Sequence, residues 1–280
     1  MHPIGRIALA SHALPVAAIL APGPAWPWLA AWGSVQGAVM WHLLRPRSTL
    51  IAPNVVRLEE EHARVALTWD DGPRAEETDR LLDLLDAAGV KGTFFMVGLR
   101  ARTHPEIVRR IAASGHALGN HSWSHPPLWS MASRRRVLAE VGDAQKAIAD
   151  AAGRPPRWFR PPVGHKNFHL AEALEAHGLT QVTWSLRSFD TVLRDEHRVL
   201  RRVLKRAREG EIILLHEGIV DRGGAGPLSI RIAGLLLDGL AGRGLSPVSL
   251  PSPPTTPPSA TPAGPDVRPR TSPGSSSPPR

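Results

Sequence analysis

The sequence predicts an α/β protein built on a parallel sheet, and three observations carry that expectation. Between residues 58 and 250, short apolar runs alternate with amphipathic helical patterns. A glycine follows each helical pattern, at Gly89, Gly115, Gly153, Gly178, Gly210 and Gly242, where a helix stop belongs. Strands separated by helices require right-handed crossovers, so the sheet is parallel, either open or closed into a barrel. In both forms chemistry gathers at the carboxyl ends of the strands.

The elements follow in order. Val65–Thr68 is a short apolar run that opens the series, and Glu76–Ala88 follows with an i, i+3, i+4 stripe through "RLLDLLDAAG". Thr93–Val97 is the second strand and Pro105–Ser114 the second helix, with proline at its first position. Ala117–Gly119, the helix Ser133–Ala152, Trp158–Arg160 and the helix Leu170–His177 continue the alternation. Gln181–Trp184, the helix Glu196–Arg208, Ile212–Leu215, the helix Leu228–Ala241 and Pro247–Leu250 complete it. In Glu196–Arg208, Val199, Leu200, Val203 and Leu204 form the inward face and the arginines the solvated one.

Composition removes several function classes. The 280-residue chain has no cysteine, which excludes disulfides and thiolate metal sites. Its net charge of +9 suggests nucleic acid until it is divided along the chain. Arg6, Arg45 and Arg47 stand in residues 1–50 without an acid, and Arg268, Arg270 and Arg280 face only Asp266 in the last thirty. The middle keeps +4 with no nucleic-acid-binding module, so no nucleic-acid partner is expected.

Residues 1–50 are apolar, interrupted by "PGP" at 22–24, and are expected to form a membrane anchor. Ile7–Ala21 is short for a span, whereas Trp26–Leu44 approaches the ~20 residues one requires. Trp26, Trp28, Trp32 and Trp41 fit interfacial anchoring, and Arg45-Pro46-Arg47 fits a cytoplasmic flank. A buried soluble helix pair is the competing reading. Two spans would leave the main domain in the cytoplasm and one span would place it outside, at a bacterial inner membrane in either case. Residues 251–280 are Pro/Ser-rich and expected to be disordered. The domains expected are therefore an anchor at 1–50, a main α/β domain at 58–250 and a tail at 251–280.

Polar clusters sit where the sheet reading requires them. Asp70 and Asp71 follow the first strand, and the "GNHSWSH" run places His121 and His125 after the third. Histidines four apart can face one metal from a single helical turn, and neutral imidazole suits zinc. His165 and His169 form a second such pair, which belongs to a loop and the start of the next helix. "FRPPVG" holds Arg160 in a proline-stiffened loop after the fourth strand, "SFDT" places Asp190 after the fifth, and "IILLHEG" runs off a buried strand into His216. Adjacent aspartates on an extended backbone point different ways, so one can ligate a metal while its neighbour takes a proton.

The segment Val65–Leu250 resembles the polysaccharide deacetylases of the NodB-homology type, carbohydrate esterase family 4. The resemblance rests on "TWDDGP", "HSWSH", "RPPVG", "WSLRSFD" and "ILLH", in that order. It implies a distorted seven-stranded (β/α) barrel, a divalent metal and hydrolysis of an N-acetyl group on a sugar. Carried over by motif, Asp71, His121 and His125 bind the metal, most simply Zn2+, with Co2+, Ni2+ or Mn2+ as alternatives. Asp70 is the general base, oriented by Arg160. His216 is the general acid, supported by Asp190. The backbone N–H of Val163 serves the oxyanion, and Leu214 lines the acetyl-methyl pocket.

Two positions depart from the family pattern. Val163 stands where an aromatic residue is common, and Thr191 where tryptophan often follows the aspartate. Losing two surfaces for sugar rings weakens the case for a long-polymer substrate. Three readings follow: an N-deacetylase of an N-acetylhexosamine-containing glycan, a deacylase of a lipid-linked sugar, and a non-catalytic carbohydrate-binding relative. The last is expected to have lost a ligand or the base, and all are present.

Overall fold

A computed structural model describes residues 3–20, 22–59, 62–220 and 227–253 of the chain. Helices α1 (Pro3–Ala10), α2 (Ala13–Leu20) and α3 (Trp26–Leu44) come first. Then follow β1 (Arg64–Gly72), α4 (Glu77–Ala87), β2 (Thr93–Met96), α5 (Gly98–Thr103), α6 (Pro105–Ala113) and β3 (Ala117–Asn120). Next are α7 (Arg134–Ala152), β4 (Trp158–Phe159), α8 (Leu170–Ala176), β5 (Thr180–Gln181) and β6 (Leu186–Arg187). The series ends with α9 (Asp190–Leu193), α10 (Glu196–Arg206), β7 (Ile212–His216), α11 (Leu228–Ala241) and β8 (Ser246–Val248).

The strands pair in parallel in the order β5-β4-β3-β2-β1-β7-β6, and β8 lies beside the first residues of β1. The expected barrel is therefore an open half-barrel of seven strands. Its two end strands, β5 and β6, have two residues each, too few to build a closing ladder. Val55 pairs with Val182 and Arg57 with Glu211, so residues just before β1 occupy the open side. The expected strand Gln181–Trp184 is cut short at Gln181, and β6 is a strand the sequence pattern did not announce. Helix ends agree closely with expectation. Gly153 stops α7 with φ 72°, its N–H donating to Ala149 O. Gly242 does not stop α11 in this way: it stays helical, and Gly244 makes the left-handed turn.

Alternation along the strands builds two cores and aims the site. Val65, Leu67 and Trp69 of β1, Phe94 and Met96 of β2, and Ile213 and Leu215 of β7 pack outward beneath α4, α6, α10 and α11. Ala66, Phe95, Trp158, Ile212 and Leu214 face inward as a second cluster. Gly119 belongs to that inner set because a Cβ there would lie 2.3 Å from the Phe95 ring. Further along these strands on the inner face come Asp70, His121, Arg160 and His216.

The membrane-span expectation is corrected. Among the described residues, no helix is long and apolar enough to cross a membrane. The first apolar run breaks at Ser11-His12 into α1 and α2, each about 12 Å long against a hydrocarbon core of ~30 Å. α3 has 19 residues, but its tryptophans are amphipathic and Ser34, Gln36 and His42 dilute it further. Gln36 is used internally, its Nε2 donating to Ser11 Oγ at 2.8 Å.

The end of α3 instead docks on the half-barrel. Lys166 donates its backbone N–H to Leu43 O at 2.7 Å and its Nζ to the carbonyls of Arg45 and Pro46. Ile51 and Ala52 are buried, and Asn54 Nδ2 donates to Pro46 O. The expected tail lies outside the described residues beyond Pro253.

Candidate active site

Alternation alone would send Asp71 away from the inner face that Asp70 occupies. The β1–β2 register shifts between Asp70 and Gly72, and Asp71 adopts φ 71°. That left-handed conformation costs about 1 kcal/mol, and aspartate is among the residues that tolerate it. The bulge turns the second carboxylate back, so both converge on one imidazole: Asp70 Oδ2 lies 3.7 Å and Asp71 Oδ1 3.8 Å from His121 Nε2. This corrects the expectation that neighbouring aspartates diverge on an extended strand.

His125 Nε2 lies 3.6 Å from Asp71 Oδ1. The ligand atoms of Asp71, His121 and His125 all fall within 4.8 Å of one another, the only such group among the described residues. Tetrahedral ligands ~2.1 Å from one ion stand roughly 3.4 Å apart, so the donor set fits a zinc-sized cation. The two histidines do not lie on a helical turn as their spacing suggested. They flank a loop in which Ser122 and His125 have φ of 66° and 50°.

His121 is buried, and its Nδ1–H donates to Arg160 O at 2.7 Å, leaving the Nε2 lone pair for a metal. Burial holds its pKa below the usual histidine value despite nearby Asp70 and Asp71, which favours the neutral ligand form. Burial also raises Asp71, but the charges of His121, His125, His216 and Arg100 outweigh it, and the net shift is downward.

Arg160 is fully buried and gathers three partners. One terminal nitrogen donates to Asp70 Oδ1 at 2.7 Å and Thr68 Oγ1 at 2.9 Å, and the other to Thr183 O at 3.0 Å. Its guanidinium lies 4.0 Å from the Phe95 ring centre. The side chain compensates the buried Asp70 charge and fixes its orientation.

Asp190 faces His216 with both oxygens. Oδ1 accepts from His216 Nδ1 and Oδ2 from the His216 backbone N–H, each at 2.8 Å. Burial pulls the imidazolium pKa down, yet the Asp190 hydrogen bond and charge, with Asp70 and Asp71, raise it above the usual value. Val163 holds φ 57° with its side chain 48% exposed, and among the described residues no hydrogen bond engages its N–H. Leu214 lies on the same face as His216 two residues earlier, packed in the inner cluster with Phe95 and Trp184. The second histidine pair stays apart from this group: His165 follows the turn at Pro162–Gly164, and His169 precedes α8.

Sequence reasoning missed the residues that hold the histidine loop. Asn120 accepts the Ser122 N–H and donates to Val141 O and Gln145 Oε1. Glu140 is buried and accepts from both the N–H and the hydroxyl of Ser124. Glu217, also missed, donates its N–H to Asp70 O, and its buried carboxyl, bonded by Thr78, is pushed up to about 8 by burial.

Comparison with known proteins places this geometry. The family described as polysaccharide deacetylase matches residues 58–182. A peptidoglycan-N-acetylglucosamine deacetylase of Listeria monocytogenes is 36% identical over 170 residues, 61% of this chain and 35% of that protein. A chitooligosaccharide deacetylase of Sinorhizobium fredii is 36% identical over 174 residues, 62% of this chain and 76% of that protein. This chain thus spans about a third of the length of the Listeria protein but three quarters of the Sinorhizobium one. Among solved structures, the Bc1960 peptidoglycan N-acetylglucosamine deacetylase superposes with TM-score 0.64 at 32% identity, covering 71% of this chain and 92% of that one. A family 4 carbohydrate esterase from Streptomyces lividans in complex with acetate gives TM-score 0.58 at 32% identity, covering 66% and 91%.

Proposed function

The chain belongs to the polysaccharide deacetylase family, and from that premise we propose that it is a metal-dependent hydrolase removing N-acetyl groups from an N-acetylhexosamine-containing glycan. The observation that carries the reading is one convergence: an Asp/His/His donor set, a carboxylate held by a buried arginine, and a histidine held by a carboxylate. An amide is a poor electrophile with a poor leaving group, so its hydrolysis needs polarisation, a base and an acid together.

Asp71, His121 and His125 would hold the cation. When bound, it supplies Lewis acidity toward the acetyl carbonyl and toward water. Asp70, with one oxygen bonded to Arg160 and the other turned to the site, takes the proton of the attacking water. The Val163 N–H donates to the oxygen that becomes negative. His216, whose pKa is raised by the Asp190 hydrogen bond and charge, delivers a proton to the departing amine. Leu214 borders the acetyl methyl. The named activities of the Listeria and Sinorhizobium relatives support peptidoglycan fragments and chitooligosaccharides as the first substrates to try.

The test incubates the zinc-loaded full-length chain with both glycans and follows acetate by enzymatic assay and new amines by mass spectrometry. Acetate and free amine in equal amounts are expected. Zinc-loaded protein that releases no acetate from either glycan contradicts the proposal.

A further inference from the structure

Beside the segment 184–187 lies a cavity of about 310 Å³, and none of the residues assigned to the catalytic groups lines it. Arg47, Arg187, Arg202 and Arg206 line it, with Trp184 and Glu211. They arrive from separate places: Arg47 from the stretch after α3, Arg187 from β6, and Arg202 and Arg206 from α10. Glu211 is the one acid in the lining: its Oε1 is engaged by Arg57 at 2.6 Å, and its Oε2 is buried without a hydrogen-bond partner. Among the described residues, no carboxylate forms an ion pair with any of the four lining arginines.

Such a gathering of like charge needs an explanation. Cations in the last turn of a helix are favoured by its dipole, which accounts for Arg206 but not for Arg47 or Arg187. The ring of Phe189 lies 4.1 Å from the Arg202 guanidinium and 4.7 Å from that of Arg187, holding the two cations near each other. Arg202 Nε donates to Arg187 O, and Arg47 donates to Ser185 O, so two of the four are tethered by backbone carbonyls. Arg187 Nε is buried without a partner. Burial, then the neighbouring Arg206 and Arg187, lowers the Arg202 pKa, the mark of cations lacking a counter-charge.

We propose that this pocket is a binding site for a phosphate-class dianion, either free or carried as a phosphate monoester. Planar guanidinium forks match phosphate oxygens bidentately, and carbonyl bonds and the Phe189 ring hold Arg47, Arg187 and Arg202 in place before any ligand arrives. The volume exceeds the ~30 Å³ share of a water molecule about tenfold, so a polyatomic anion is accommodated. The site is separate from the acetyl-hydrolysing groups and does not depend on their assignment.

The experiment titrates the full-length chain with inorganic phosphate and, separately, glycerol 3-phosphate by isothermal calorimetry, with chelator present to silence the Asp71 cluster. Saturable binding of at least one probe is expected, weakened about tenfold or more in Arg202→Gln and in Arg206→Gln. Arg206 is exposed, so its replacement leaves folding intact, which the melting temperature verifies. Arg109→Gln, on α6, serves as a charge-matched control and should bind as the parent does. Binding of phosphate alone identifies the free anion, and binding of the ester alone identifies a phosphorylated ligand. Absence of saturable binding, or equal affinity in the parent and both pocket variants, overturns the proposal.

Discussion

His121 and His216 stand in the same site, both well buried, and each is fixed through Nδ1 at nearly the same distance. His121 donates to a backbone carbonyl at 2.7 Å, and His216 to the Asp190 carboxylate at 2.8 Å. With a neutral acceptor, burial dominates and the ring is held neutral. With an anionic acceptor, burial is outweighed and the pKa is raised above the usual histidine value. One hydrogen-bond partner thus sets apart the ring proposed as a metal ligand from the ring proposed as a proton donor. His116 gives a third case: its Nδ1 accepts the Gly92 N–H, and burial pushes its pKa to about 4.

The largest expected effect breaks the ligand side of this comparison. His121→Ala removes one of three donors and should lower bound zinc from roughly one ion per chain to a small fraction, with deacetylation falling to background. Elemental analysis after gel filtration reads the metal directly. Retention of full zinc content would move the metal elsewhere.

The acid side is tested more gently by Asp190→Asn, which keeps the shape and removes the charge. His216 then loses what offsets its burial, so its pKa falls and fewer molecules carry the proton at neutral pH. Turnover should drop roughly 10²–10⁴-fold, the usual contribution of a positioned acid. The alkaline limb of the pH–kcat profile should move to lower pH. An unshifted limb with reduced turnover would show that Asp190 only positions the ring.

The smallest effect on activity belongs to His116. Its folded-state pKa near 4 lies below the unfolded value near 6.5, so the unfolded chain takes up the proton first as pH falls. Stability is retained above about pH 6.5 and lost progressively toward pH 4. His116→Gln keeps an acceptor for Gly92 and should reduce that loss by on the order of 3 kcal/mol, measured by urea unfolding at pH 7 and pH 4.5. An unchanged pH dependence would assign the acid sensitivity to other groups.

How much of this could be read in the sequence depended on whether the feature was periodic. Residues just beyond the apolar runs converge on one face because strand alternation extends past the run, and the grouping of Asp70, Arg160 and His216 was legible for that reason. The bulge at Asp71 was not, since a left-handed aspartate leaves no pattern around it. β6 has two residues, too short for a period to show. Glu140 and Gln145 left a usable signal: they interrupt the apolar stripe of Val137, Val141, Ala144 and Ile148 on α7, where a buried polar group needs a partner. The N-terminal run misled because tryptophan was counted as apolar over 19 residues. The docking of residues 43–54 is anchored on the backbone carbonyls of Leu43, Arg45 and Pro46, which accept from Lys166, and a carbonyl acceptor leaves no mark in a sequence.

The central claim is that two neighbouring carboxylates, both within 3.8 Å of one imidazole nitrogen, have different tasks. The most direct test is the zinc content of Asp70→Asn and Asp71→Asn, measured side by side on folded full-length protein. Asp70→Asn should retain about one ion per chain while losing turnover, because Asp70 is bound to Arg160 and is the base of the proposed reaction. Asp71→Asn should lose zinc and turnover together. Zinc retained by Asp71→Asn and lost by Asp70→Asn would reverse the two roles and contradict the account.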